Sequence, residues 1–415
     1  MAALASCRDT LSGLSGATSR AEVSIEFEAD GNIDFEGIID PVFTFRNIAN
    51  NRASRFSSPD GLSLMPGLYD ISFEGKLIND LGVVSAVRAS KQSVQLVDGL
   101  NSLTLQAYCN VETDDLIISE IFFAGTLQPS GNQYNGDSYI KLYNNTDHVV
   151  YADGISLFET KFLTTEKRQY TPDIMAEAVA VDAIYTIPGD GESYPVEPGG
   201  ELLICDVAMD HRVANPNSFD LSAADFEWYD ESTTPNTTDI DNPAVANLDK
   251  WYCYTQSVWI PHNRGFKAFG LARIPIVRDE YLASYRYAFD YELVTAAGSF
   301  PMSGDAYRLP NEWVVDAVSC SVESAYAWQV MSPAIDSGWT FCGTIDKDKT
   351  RFFRSVRRKV LRFEADGRMV LCDTNNSSED FNANVIPSEV ERQGTAIDYD
   401  GTKSTSVTYD GVILK

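Results

Sequence analysis

Residues 23–28 have the sequence VSIEFE, and the strict alternation of apolar and polar side chains in this stretch decides the fold class. Successive side chains of a β-strand point to opposite faces, so the segment has one apolar face and one acidic face. The same alternation recurs at Phe43 and Phe45, and in residues 68–73 (LYDISF) directly after a turn at Pro66-Gly67. The pattern predicts an all-β protein in which residues 20–110 form a small antiparallel β-sandwich.

A second β-sandwich domain is predicted over residues 111–415. Its first strand is LIISEI (116–121), and a loop rich in Gly, Asn and Ser separates that strand from YIKLYN (139–144). The polar stretch 110–115 marks the boundary between the domains. Within the second domain, a segment at about 206–300 is rich in aromatic residues, and we interpret it as an insertion.

The composition limits the classes of partner. The chain has 60 Asp and Glu residues against 32 Lys and Arg, a formal net charge of −28, and only 3 histidines. Non-specific nucleic-acid binding needs clustered Lys and Arg, so no nucleic-acid partner is expected. The 44% of hydrophobic residues can form real cores, while no apolar run approaches the roughly 20 residues of a membrane helix.

Two sets of motifs resemble known domains. The segment PGLYDISFEG (66–75) resembles the closing strands of transthyretin-like, carboxypeptidase-regulatory-type domains, which are usually non-catalytic. The second domain is similar to the immunoglobulin-like lamin-tail domain, through the ordered motifs IISEI, YIKLYNNTDHVVYADGISL, VEPGGELLI, LPNEWVVDAV, SVRRKV and CDTNNSSEDFNANVIPS. Lys141 stands where that domain usually has Glu, and Ile155 where it usually has an aromatic residue. The resemblance implies an immunoglobulin-like sandwich with long insertions between its strands.

Together, the two halves resemble a Bacteroidota family of lipoproteins of unknown function. Members look like outer-membrane lipoproteins, surface-exposed or facing the periplasm, and are often encoded beside TonB-dependent transporters. The resemblance therefore implies a localisation and a partner, namely an outer-membrane TonB-dependent transporter. It implies no reaction.

The amino terminus contains a candidate lipidation site. Leu4-Ala5-Ser6-Cys7 resembles a bacterial lipobox, in which the cysteine receives diacylglycerol, although the charged and apolar segments that normally precede it are absent. Residues 8–19 are small and polar, as in a tether, so residues 1–19 are interpreted as a truncated signal remnant and tether. An accidental match in an Ala-rich terminus is the alternative. If Cys7 is lipidated, its acyl chains are expected to be the protein's sole attachment to the membrane.

The other six cysteines, at positions 109, 205, 253, 320, 342 and 372, form no CxxC pair. Structural zinc usually shows close ligand pairs, so no zinc site is expected. Cys205 and Cys372 follow apolar runs and look like buried strand cysteines. Free core thiols are predicted, with one disulfide as the alternative.

The aromatic segment supplies the candidate binding residues. Aromatic rings suit sugars, planar cofactors and protein partners, and the two histidines here give haem or metal uptake a footing. The candidate ligand- or partner-binding residues are Trp228, Tyr229, Trp251, Trp259, His211 and His262. Tyr285, Tyr287, Phe289 and Tyr291 fall at period two, which places them on one strand face. The alternative is that these rings form a second small core.

No cofactor is predicted, and Ca²⁺ is the one ion considered. The loop that begins at Asp30 departs from the EF-hand pattern at its sixth and twelfth positions, whereas the segments 239–242 and 346–348 offer acidic oxygens. Solvated acidic loops are the alternative. The basic run from Arg351 to Arg362 is expected to pair with the abundant carboxylates, with an anionic partner as the alternative.

The predicted function is non-catalytic. The protein is expected to be an outer-membrane lipoprotein that binds a small ligand or glycan, or a transporter, and assists TonB-dependent uptake of a nutrient such as iron, haem or glycan. No GxSxG, HExxH or P-loop signature is present. The alternatives are a secreted hydrolase that uses carboxylates of the insertion, and a cell-surface adhesion or assembly module.

Overall fold

The computed structural model describes residues 19–29, 38–50, 52–78, 84–110, 113–232, 234, 237–255 and 257–394. The chain divides into two compact units, and the boundary along the sequence falls between Cys109 and Asn110. Both are built from strands, so the predicted all-β class is confirmed. Within the described residues no helix is long and apolar enough to cross a membrane. Cys7 and the loop at Asp30 lie outside the described residues.

The described residues of the first unit form a seven-stranded sheet. Its strands are β1 (Ala21–Ala29), β2 (Ile38–Asn47), β3 (Arg52–Phe56), β4 (Leu62–Leu64), β5 (Gly67–Ile78), β6 (Val84–Leu96) and β7 (Gly99–Asn110). They follow the order β3-β2-β5-β6-β7-β1-β4. The alternation in the sequence predicts the buried face correctly, because Val23, Phe43, Phe45, Ile71 and Phe73 are all buried. The antiparallel prediction fails at one ladder, since β1 runs parallel to β7 from Ala21 to Ala29.

The second unit begins with strands from the predicted sandwich. These are β8 (Leu116–Phe122), β9 (Thr126–Leu127), β10 (Gln133–Tyr134), β11 (Tyr139–Asn144), β12 (Val150–Tyr151), β13 (Ile155–Thr160), β14 (Ala178–Thr186), β15 (Pro195–Val196) and β16 (Glu201–Cys205). The aromatic segment then contributes β17 (Phe226–Glu227), β18 (Ala246–Asn247), β19 (Asp249–Cys253), β20 (Ala268–Arg273), α1 (Arg278–Ser284), β21 (Arg286–Thr295) and the start of β22 (Gly298–Pro310).

The remaining elements close the unit. They are β23 (Val314–Ser321), β24 (Thr340–Phe341), β25 (Ser355–Arg358), β26 (Val360–Phe363), β27 (Met369–Leu371), α2 (Ser377–Asp380), β28 (Phe381–Val385) and α3 (Ser388–Gln393). Among the described residues of this unit, 3₁₀ turns lie at His211–Val213, Asn311–Trp313 and Lys349–Arg351.

Two large sheets form the second unit. One has the order β18-β17-β16-β11-β8-β25-β28, and the other has the order β21-β22-β14-β13-β20-β23-β24, with β19 added beside β14. Side chains of both sheets share a core, for example Ile118 and Ile140 from the first with Leu157 and Leu271 from the second. The segment 206–300 is therefore more than an insertion, because β20 lies in the middle of the second sheet.

The five cysteines whose side chains are described are free thiols: Cys205, Cys253, Cys320, Cys342 and Cys372. Cys205 is fully buried, as predicted, and burial raises the pKa of its thiol well above the ordinary value. Cys372 follows β27 and is half-buried, so its expected place within a buried strand is wrong.

Candidate functional site

Trp228 and Trp259 are core residues. Both side chains are 0% exposed and their ring centroids lie 5.1 Å apart in the core between the two sheets. The Trp259 ring stacks on Tyr185 at 5.0 Å, and its Nε1 donates to Glu159 Oε2 at 3.0 Å. Both indoles are enclosed in the main core of the second unit, rather than in a separate small core, and have no exposed surface that a ligand could reach.

The other two aromatic candidates lie apart from this pair. Trp251 in β19 is half-buried and packs on Tyr281 of α1, with ring centroids 6.1 Å apart, in a second apolar cluster. Tyr229 is half-buried and follows Trp228 along the chain. Trp228 and Trp259 therefore lie in one cluster and Trp251 packs against another, so the three candidate tryptophans form no common binding platform.

His211 is enclosed by hydrogen-bond partners. Its side chain is fully buried, and burial lowers the pKa of the imidazole, which is therefore neutral. Nε2 lies 2.8 Å from the Val207 carbonyl oxygen, so Nε2 carries the proton and Nδ1 accepts from the Tyr134 hydroxyl at 2.9 Å. Burial also raises the pKa of Tyr134 to about 12. With both ring nitrogens engaged, His211 fits a structural role and offers no free ligand atom.

His262 organises a loop. Its Nδ1 accepts from the Phe266 N–H at 3.1 Å, and its own backbone N–H donates to Glu159 Oε1 at 2.8 Å. Burial, reinforced by Lys267 and Arg264, lowers the pKa of the imidazole to about 3. The neutral ring stacks on Phe266 with centroids 5.1 Å apart. His262 is thus committed to its own turn.

In the two acidic segments considered for Ca²⁺, carboxylate oxygens accept hydrogen bonds from backbone N–H groups or pair with an arginine. The Asp239 carboxylate accepts the backbone N–H groups of Asp230 and Ile240, at 2.8 Å each. Asp346 pairs with Arg264 at 2.6 Å, and Asp348 accepts the N–H of Thr350 at the start of a 3₁₀ turn. Among the described residues, no group of three or more His, Cys, Asp or Glu side chains could hold a metal ion.

Three cations of the basic run, Arg357, Arg358 and Arg362, pair with carboxylates, as the sequence predicts. The Arg358 guanidinium lies 2.6 Å from Asp316 and 3.1 Å from Asp373, with 1% of its side chain exposed. Arg357 pairs with Glu391 of α3 at 2.7 Å. Both arginines hold sheet strands to the carboxy-terminal segments, so they are unavailable to an anionic partner.

The hairpin of β21 and β22 extends from the second large sheet. Only Tyr307–Pro310 of β22 pair with β14, so residues from Gly298 to Ala306 extend beyond the sheet with β21 alongside them. Directly opposite residues of an antiparallel pair share a face. Tyr287 and Phe289 are buried on this face, and Gly304 lies directly opposite Phe289. A Cβ at Gly304 would lie 2.6 Å from the Phe289 ring, so this position needs glycine.

The apolar face of the hairpin continues beyond the body of the unit. Tyr291 lies opposite Met302, and Leu293 lies opposite Phe300, in the same alternation as Tyr287 and Phe289. Met302 is 40% exposed and Phe300 is 46% exposed. The period-two prediction therefore holds for the three aromatic residues within β21. Tyr285 instead ends helix α1 and stacks on Tyr281.

A groove of about 980 Å³ lies between the hairpin and residues 166–171. The Arg168 guanidinium covers the Tyr291 ring at 5.0 Å and pairs with Glu166. The Tyr170 ring stacks on Phe162 at 3.6 Å and anchors this wall to the core. Further lining residues are Lys167, Gln169, Asp290, Glu292, Val294, Pro301 and Ser303. The groove thus combines an apolar stripe with charged groups, as binding sites usually do.

Sequence reasoning missed the tip of this hairpin. Leu293 extends the period-two series 287, 289, 291, and Phe300 and Met302 show the same spacing on the next strand. That signal was available. What the alternation could not show is that β14 pairs with only the last residues of β22, which leaves the rest of the apolar face exposed.

Residues 197–388 match the family model DUF4876. That family is described as "Protein of unknown function", and the DUF4876 match includes the hairpin and the Arg358 network. The fold is similar to a crystal structure of a DUF4876 family protein from Bacteroides thetaiotaomicron, with a TM-score of 0.53 and 20% identity. The likeness covers 92% of this chain and 98% of that chain, and it shows a shared fold alone. No curated protein matches the chain.

Proposed function

We propose that this chain is a non-catalytic outer-membrane lipoprotein that acts as a binding or accessory subunit beside a TonB-dependent transporter. In this proposal Cys7 carries the lipid, and the groove beside the β21–β22 hairpin engages the partner or its nutrient. The lipobox-like segment and the likeness to Bacteroidota lipoproteins support the location. The hairpin supports the binding role.

The observation that carries the proposal is the apolar face that leaves the core along β21 and β22. An isolated two-stranded ribbon is only marginally stable in water, and exposed apolar patches usually mark interaction sites. Phe300 is 46% exposed and Met302 is 40% exposed on this face, opposite Leu293 and Tyr291. Contact with a partner would bury these side chains.

A metal or haem cargo would need ligands other than the two predicted histidines. His211 has both ring nitrogens hydrogen-bonded, and His262 uses Nδ1 within its own turn. Among nutrients of such systems, the proposal therefore favours cargo recognised by contact area and hydrogen bonds, such as a glycan or a peptide.

The test is to isolate the full-length protein from native outer membranes and identify what accompanies it. We expect a stoichiometric outer-membrane barrel, and incorporation of a radioactive fatty acid that is lost in Cys7→Ala. Recovery without any membrane partner would contradict the accessory role. Equal labelling of wild type and Cys7→Ala, or labelling of neither, would remove the proposed anchor.

A further inference from the structure

The outer edge of β21 already pairs with a short piece of this chain. β21 is the edge strand of its sheet, and Thr171 forms an antiparallel bridge with Asp290. The Thr171 N–H donates to the Asp290 carbonyl oxygen at 2.9 Å, and the Asp290 N–H donates back to Thr171 at 2.9 Å. This edge therefore accepts an antiparallel strand with ordinary ladder geometry.

The pairing ends after this bridge, although the edge continues. Backbone groups of a strand alternate between its two sides, so the N–H and C=O groups of Glu292 and Val294 point the same way as those of Asp290. Among the described residues no strand pairs with β21 beyond Asp290 on this side. Residues 166–169 turn away instead and form the opposite wall of the groove. The groove therefore runs along the unpaired edge of β21, where one further strand could pair.

We infer that this groove receives an extended polypeptide segment of a partner protein, which adds to the edge of β21 as an antiparallel strand opposite Glu292 and Val294. The inference rests on the proposed function in that it requires a partner. Donors and acceptors of an unpaired edge provide affinity to any extended backbone, while side-chain contacts on the two faces provide specificity.

The chemistry of the two faces defines the side chains of the added strand. One face continues the stripe of Tyr291, Leu293, Phe300 and Met302, so alternate residues of the partner are apolar. The other face carries Asp290 and Glu292, both exposed. The groove lining has three carboxylates, at 166, 290 and 292, against the cations Lys167 and Arg168. Together with a net charge of −28, this favours basic residues at the intervening positions.

The hairpin itself supplies matched variants. The outward N–H groups of Glu292 and Val294 form no bond to β22, because they lie in non-hydrogen-bonded pairs with Pro301 and Ser299. Pro301 shows that the hairpin accepts proline at such positions. Ser299→Pro removes an outward N–H from the opposite edge of the ribbon, at a position outside the groove lining, and is therefore the control for Glu292→Pro and Val294→Pro.

The experiment uses the purified full chain and a short blocked peptide of alternating lysine and valine. We expect binding, with slower hydrogen exchange at the amides of Glu292 and Val294. Glu292→Pro and Val294→Pro should each weaken binding about fivefold to tenfold, the effect of one lost backbone hydrogen bond, and Ser299→Pro should not. The same peptide with N-methyl groups on alternate residues should not bind.

Three results would overturn the inference: unchanged exchange at Glu292 and Val294 with saturating peptide, equal weakening by Ser299→Pro, or equal binding of the N-methylated peptide. A glucan oligosaccharide that protects this edge where the peptide does not would assign the groove to sugars instead. None of these results depends on Cys7 or on a transporter. Failure of strand addition is therefore distinguishable from failure of the proposed outer-membrane role, which the membrane isolation tests.

Discussion

The Arg358 network and the tip of the β21–β22 hairpin differ in what they bury. The network encloses a charged group, whereas the tip leaves apolar side chains partly exposed. Arg358 is a charge held inside the protein, where it donates to Asp316, to Asp373 and to the carbonyl oxygen of Ile118. The hairpin tip is apolar surface held outside, with Phe300 and Met302 partly exposed. Burial of a charge is tolerated only with such complete pairing. By the same reasoning, an exposed apolar ribbon favours the proposed binding role of the hairpin.

The largest effect is expected where the interior network loses its cation. Arg358→Met leaves Asp316 buried without its guanidinium partner, and should lower the free energy of unfolding by about 3–5 kcal/mol in urea denaturation. Arg286→Met is the control, because the Arg286–Asp305 pair is mostly exposed and is worth about 1 kcal/mol or less. Equal losses in the two variants would contradict the contrast between buried and exposed pairs.

The next effect depends on pH and concerns His262. Its folded pKa of about 3 is below the unfolded value near 6.5, so the unfolded chain binds more protons between these values. Stability contributed by the neutral ring is present above about pH 6.5 and decreases as the pH falls towards 3, by about 2 kcal/mol at pH 5. The measurement is the free energy of unfolding of wild type and of His262→Asn at pH 8 and at pH 5. The loss between the two pH values should be larger in the wild type by about 2 kcal/mol.

Buried carboxyls with raised pKa values, such as Glu159, change stability in the opposite direction on acidification. The comparison with His262→Asn cancels their contribution, since they are present in both proteins. A wild type that loses no more stability than His262→Asn between pH 8 and pH 5 would contradict the assignment of a buried, neutral His262.

The smallest effect on stability is expected at the hairpin tip. Phe300→Ala and Met302→Ala remove partly exposed side chains, so each should change the free energy of unfolding by only about 0.5 kcal/mol or less. The double variant should nevertheless weaken binding of the partner or of the lysine–valine peptide severalfold. Denaturation and peptide titration of the same samples separate the two roles, and a large loss of stability would instead make the tip part of the core.

The sequence predicted the strands well because alternation is local. Val23 and Phe27 lie on the apolar face that VSIEFE indicates, and the period-two series of aromatic residues continues through Tyr291. It did not predict β20 in the middle of a sheet, because partners of a strand are chosen by contacts distant in sequence. Likewise, nothing local distinguishes the buried Trp259 from a tryptophan that stacks on a ligand.

Lys141 illustrates what a motif departure can conceal. Its Nζ lies 2.9 Å from Glu389 of α3 and 3.6 Å from Glu201, and the side chain is almost fully buried. Burial lowers the pKa of this amine, but Glu201, Glu389 and Glu120 together raise it above its ordinary value. Glu389 lies far from Lys141 along the chain. The sequence therefore showed that Lys141 departs from the motif, but not that a buried ion pair accounts for it.

Photo-crosslinking in native membranes tests the central claim most directly. Benzoylphenylalanine in place of Met302 places the probe on the hairpin, and the same probe in place of Val213, which is 86% exposed, is the control. We predict one crosslinked outer-membrane protein from position 302 and none from position 213, with the adduct lost when unlabelled lysine–valine peptide is added. Crosslinking from position 213 alone, or from neither position, would contradict the account of the hairpin as the partner-binding surface.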